Sequence, residues 1–208
     1  MNRTVQRSLD AVIVTALTVA IALIGIAWHQ STTAHIALDM DGRRVALDTR
    51  PDPAGADVQA TGGRFHAPGQ GLDVPLLEMS ASGGVLNPPT LTDAFILRDP
   101  DRTTADGVRP RIIVMHAVHG GRAPGNALIT TGGTATKVLV GAGDQLWVDG
   151  VEYVVESTDI LSKPAAASSS DIWGYHEDGA DRITVITCRP DNRAAHATHN
   201  LVVHAVRT

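Results

Sequence analysis

One cysteine stands in the chain of 208 residues, Cys188, and it ends the apolar run ITVITC over residues 183–188. Arg189-Pro190-Asp191-Asn192 follow at once. Proline cannot donate to a ladder and restricts the residue before it, so a strand is expected to stop there. A thiol at a strand end beside a loop is placed to meet a substrate, although a lone cysteine also serves as a small buried hydrophobe. His116 ends a second apolar run, RIIVM, and Gly120-Gly121 open a loop soon after it. A thiol that attacks an amide needs a proton-transfer partner, and imidazole supplies one near neutral pH. The tetrahedral oxyanion needs a fixed donor, and Arg193 or Arg189 in the loop after Cys188 carries a permanent charge. The chain has nine histidines, so residue types alone leave a Cys/His/Arg site as one option among several.

Composition narrows the alternatives. The net charge is −5, so no overall basic field recruits nucleic acid. A single cysteine excludes an intrachain disulfide framework and a cysteine-based zinc cluster. His196, His199 and His204 are close in sequence, but His199 and His204 straddle the start of a strand, and no shared metal is expected. Asp39, Asp41 and Asp48 lack the spacing of a calcium loop. Neither a phosphate-binding glycine loop nor a Ser-His-Asp motif is recognisable, and no cofactor is expected.

The elements that must position these residues are mostly short strands. Apolar runs cover residues 72–77, 94–97, 111–118, 137–140, 145–148, 152–155, 182–187 and 201–206, with Gly, Pro, Asn and Asp between them. Such a succession predicts a closed or nearly closed β-barrel with few helices. Asp149-Gly150 between two β-rich runs predicts a hairpin with a type I′ turn. Residues 124–129 are expected to form a single short helical turn, and 163–173, KPAAASSSDIW, a surface connection. Ahead of this region, residues 29–63 have the composition of a spacer, within which a short hairpin is expected around Asp41-Gly42.

Residues 11–28, AVIVTALTVAIALIGIAW, form an uncharged apolar run. As a helix it would be about 27 Å long, close to the roughly 30 Å hydrocarbon core. Arg3 and Arg7 precede it, so the positive-inside rule puts residues 1–10 in the cytoplasm and the rest outside the cell membrane. The reading is a single-pass signal anchor at 11–28 in contact with membrane lipid, a spacer at 29–63 and a folded domain at 64–208.

The ordered motifs of that domain resemble the sortase family of cysteine transpeptidases. TVITC (184–188) resembles the sortase signature Thr-Leu-x-Thr-Cys, with Val185 in place of Leu. IIVMHAV (112–118) resembles the strand that carries the sortase histidine, with Met115 where Gly is usual. RFHAPGQGLDVPLLEM (64–79) resembles the opening strand, residues 138–157 the middle of the barrel, and NLVVHA (200–205) the closing strand. The flavour is actinobacterial, nearer classes E and F. The resemblance implies an eight-stranded sortase-type barrel, with Cys188 as nucleophile and His116 as acid/base partner; His119 is the alternative histidine. It also implies partners: surface proteins or pilins with a C-terminal Leu-Pro-x-Thr-Gly-like sorting signal, and a peptidoglycan-precursor or pilin amine as acceptor. The sequence departs from the family at the arginine, because the start of the strand after the cysteine loop holds His199 and Asn200. Arg193 is then the expected oxyanion donor and Arg189 the alternative. The departure also admits a membrane-tethered binding protein of the same fold without catalysis, or a hydrolase that releases its acyl group to water.

Overall fold

The computed structural model describes residues 35–47, 51, 53–81, 85–130, 136–190 and 197–208. The apolar run 11–28 lies outside them, as does Arg193. No helix among the described residues is long and apolar enough to cross a membrane.

The chain begins with the hairpin β1 (His35–Leu38) and β2 (Arg44–Leu47), followed by β3 (Gln59–Ala67), a 3₁₀ turn at Pro68–Gln70, β4 (Leu72–Met79) and β5 (Ala94–Leu97). The small hairpin β6 (Thr103–Thr104) and β7 (Gly107–Val108) leads into β8 (Arg111–Met115) and a 3₁₀ turn at Pro124–Ala127. After β9 (Gln145–Val148) and β10 (Val151–Ser162) come two short helices, α1 (Lys163–Ala167) and α2 (Ser170–Trp173), then β11 (Arg182–Arg189) and β12 (His199–Arg207). Eight strands close a barrel in the order β10-β12-β11-β8-β5-β4-β3-β9. Closure leaves no long unpaired edge in the sheet.

Alternation along the strands fills two cores. Ile113 and Met115 of β8, Ile183 and Val185 of β11, and Leu201 and Val203 of β12 point into the barrel. The intervening Ile112, Val114, Ile186 and Val202 point outward and pack with Phe95, Ala166 and Ile172 under the two helices. This double burial explains why β8 and β11 read as unbroken apolar runs rather than alternating ones. At the β9–β10 turn Asp149 has φ 51° and Gly150 φ 77°. Both central residues are thus left-handed, as a type I′ turn requires.

Three parts of the sequence reading change. The compact unit runs from His35 to Thr208, so the stretch read as a spacer supplies β1, β2 and the start of β3. The reason is Asp39, which is buried and whose carboxylate accepts from the backbone N–H groups of Asp41, Arg43 and Arg122. Residues 137–140, read as a strand, make only the isolated bridge Ile129↔Val138. Residues 163–173 form α1 and α2: Ser162 caps α1 by accepting from Ala165 N at 3.3 Å, and the Trp173 indole donates to Ala166 O at 2.8 Å.

Candidate active site

β8 and β11 run parallel as neighbours, and their pairing ends at Thr187↔Met115. The next residues on the two strands are Cys188 and His116. Neighbouring strands lie about 4.8 Å apart and partnered residues face the same side. The topology therefore brings the two chemistry-bearing residues of the sequence reading together at one end of the barrel, on its outer face. Both line a cavity of about 870 Å³, a size suited to a peptide segment or small ligand.

The floor of this cavity is the outer face of β8 and β11, with Val114 and Ile186 beside the pair. Leu86 and Pro88 form one wall, Ala166 and Trp173 of the helices another, and Leu47 of β2 reaches it from the hairpin. The connection at 163–173, expected as a surface loop with a groove-lining role as the alternative, thus lines the cavity. Lys163 is the only lining side chain with a permanent charge among the described residues.

His116 is buried, and its Nε2 lies 2.7 Å from the carbonyl oxygen of Pro88. A carbonyl only accepts, so Nε2 carries a proton in this contact. Nδ1 is then the ring nitrogen that can exchange a proton without giving up the bond. The loop after His116 is held by one carboxamide: Asn126 Oδ1 accepts from Val118 N at 3.1 Å and Ala123 N at 2.8 Å, and Asn126 Nδ2 donates to Val118 O at 3.0 Å. Arg122 N donates to Asp39 at 2.9 Å, which ties the same loop to the β1–β2 hairpin. Desolvation works against the Asp39 carboxylate, but the backbone donors of Arg43, Arg122 and Asp41 outweigh it and hold the pKa below the ordinary 3.8. His119 also lines the cavity.

The arginines fare differently. Arg189 follows Cys188 within β11 and pairs with His199 of β12. Strand alternation turns it to the face opposite the thiol, and it does not line the cavity. Arg193 falls in residues 191–196, outside the described ones. Among the described residues no group of three His, Cys, Asp or Glu side chains is arranged to hold a metal ion.

Two lining residues escaped the sequence reading as site residues. Lys163 was hidden in a low-complexity stretch. Asn200 was noted only as the residue standing where an arginine was expected, yet it pairs directly with Cys188 and lines the cavity. The signal that could have found it was the register of two antiparallel strands joined by the cysteine loop.

No family model and no curated protein matches this sequence. Among solved structures the chain is similar to a lid mutant of sortase A from Corynebacterium diphtheriae, with 19% identity over 70% of this chain and 69% of that one and a TM-score of 0.48. Sortase A from Listeria monocytogenes matches at 16% identity over 72% of this chain and 88% of that one, with a TM-score of 0.49. Sortase C-1 from Actinomyces oris matches at 16% identity over 70% of this chain and 72% of that one, with a TM-score of 0.46.

Proposed function

We propose that the chain is a sortase-like cysteine transpeptidase, with Cys188 as nucleophile and His116 as its acid/base partner. The observation that carries this reading is the register of β8 and β11, which ends one residue short of Cys188 and His116, both of which line one cavity. The Cys188 thiolate adds to the carbonyl carbon of the Thr–Gly bond in a Leu-Pro-x-Thr-Gly-like sorting signal. As the tetrahedral adduct collapses, the C–N bond breaks and the His116 imidazolium protonates the departing amine. An amine of a peptidoglycan precursor or a pilin then attacks the thioacyl carbon, His116 takes its proton, and the thiolate is released. Arg193, which lies between β11 and β12 in the sequence, is the cation proposed to stabilise charge in these steps. Residues 11–28 would hold the domain at the outer surface of the cell membrane, within reach of substrates that are themselves membrane-bound.

The test uses the full-length chain in detergent with a panel of sorting-signal peptides, read by intact mass. A thioacyl adduct on Cys188 is expected, absent in Cys188→Ala and formed about 10²–10⁴-fold more slowly in His116→Ala. A second reading is a tethered binding protein without catalysis, favoured by the lack of a lining arginine among the described residues. Peptides that bind but never acylate the thiol would establish that reading and sink the first.

A further inference from the structure

Cys188 is directly opposite Asn200 in the antiparallel pairing of β11 with β12. Opposed residues of an antiparallel pair have Cβ atoms about 5 Å apart and project on the same face. On β12 that face also carries Val202, which packs in the outer cluster, while Leu201 and Val203 fill the barrel. The side chain of Asn200 is thus on the thiol's side of the sheet, and it lines the same cavity. It is seated on a regular ladder on both sides, with Cys188 on one and Leu161 of β10 on the other. A donor on a strand is held more firmly than one on a loop, and it needs little reorganisation when charge develops. His116 flanks the thiol from β8 and Asn200 from β12, so the two neighbouring strands of β11 each present one polar group to it.

We infer that Asn200 is a catalytic residue of this site: its carboxamide N–H donates to the carbonyl oxygen of an acyl group under attack by Cys188. The inference deepens the cysteine-acyl-transfer reading and rests on Cys188 being the nucleophile, but not on a sorting signal or on Arg193. When the thiolate adds to a carbonyl carbon, the π electrons move onto oxygen, and the Asn200 Nδ2–H is the fixed dipole that meets that charge. Collapse of the adduct returns the electrons, expels the leaving group and releases the bond. A neutral amide does this without fixing a charge beside the thiol.

The experiment compares two reactions of Cys188 in the full-length chain. Acetylation by p-nitrophenyl acetate forms an S–C bond, breaks a C–O bond and passes through an oxyanion. Alkylation by iodoacetamide forms an S–C bond and breaks a C–I bond with iodide leaving, and its transition state has no oxyanion. In Asn200→Ala, and in Asn200→Leu, which keeps the shape and adds no charge, the ratio of acetylation to alkylation rates should fall about 10²-fold, the cost of one oxyanion donor. The pH dependence of alkylation should stay as in the parent chain. An unchanged ratio, or a parallel fall of both rates, would overturn the inference, because Asn200 would then be inert or would act on the thiol itself. If the parent chain ignores every sorting-signal peptide but Asn200→Ala still slows acetylation selectively, the transpeptidase reading fails and the role of Asn200 stands.

Discussion

Gly125 lies where the absence of a side chain matters to the site. A Cβ there would collide with the Thr187 hydroxyl and come within 2.8 Å of the His116 carbonyl oxygen. The Gly125 N–H donates to that same carbonyl at 2.8 Å, so the 3₁₀ turn at Pro124–Ala127 is pressed against the ends of both strands that carry the site. Thr187 is 2% exposed, and its Oγ1 has no hydrogen-bond partner among the described residues. Gly125→Ala should therefore cost about 1–3 kcal/mol by overpacking and slow acylation of Cys188. Urea denaturation should show a lowered midpoint at constant slope. A parent-like midpoint would mean that the turn gives way without moving the strand ends.

The β1–β2 hairpin acts as a brace for the histidine loop. Asp39 accepts from Arg122 N, Arg122 O accepts from Met40 N at 2.8 Å, and the Arg122 guanidinium donates to Asp41 at 3.0 Å. A chain trimmed to begin at Gln59 loses all three bonds and leaves the Arg122 N–H without its acceptor, a loss of about 1–3 kcal/mol. Hydrogen exchange across residues 116–126 should speed up by about tenfold or more, with the core of β11 protected as before. Unaltered exchange would show that Asn126 alone holds the loop. This brace was only half legible in the sequence. Asp41-Gly42 announced a turn, but nothing in a polar, Gly- and Pro-rich stretch shows that one carboxylate will reach a loop some eighty positions away. The start of β3 was hidden because its glycines and polar residues break the strand pattern, and its pairing with β4 carries a register shift between Ala60 and Gly63. β5 and β9 were read to the residue because each is an apolar run bounded by turn formers.

Acid titration reads the whole molecule. Burial pushes the His204 imidazole below its ordinary 6.5, although the carboxylates of Asp159, Asp171 and Glu156 oppose the shift and His176 adds to it. The unfolded chain takes up this proton more readily than the native one, so stability is full above about pH 6.5 and declines as pH falls below it. Asp39, held below 3.8, adds a second loss as pH falls under that value. Two-stage acid destabilisation is expected by denaturant titration, and His204→Asn should flatten the upper stage; a single stage near pH 4 would count against the burial of His204. The barrel itself and the positions of Cys188 and His116 were legible because apolar runs, turn residues and a proline stop leave strong marks on a sequence. The donor opposite the thiol was not, because which residue of β12 faces Cys188 depends on the length and path of the loop between the strands.

At the end of the barrel remote from the cavity, Asp181 joins Arg102, Arg111 and Arg207 and accepts from the Tyr153 hydroxyl at 3.1 Å. That knot and the site share one dependence, the parallel pairing of β8 with β11, which joins Arg111 to Ile183 across a long stretch of intervening chain. Pairings of such separation form late, because the loop must be closed before any contact rewards it. Until then the thiol does not have His116 beside it. On the proposed reading, completion of the fold is thus also the event that arms Cys188, and a chain halted partway through folding would not acylate itself on its neighbours.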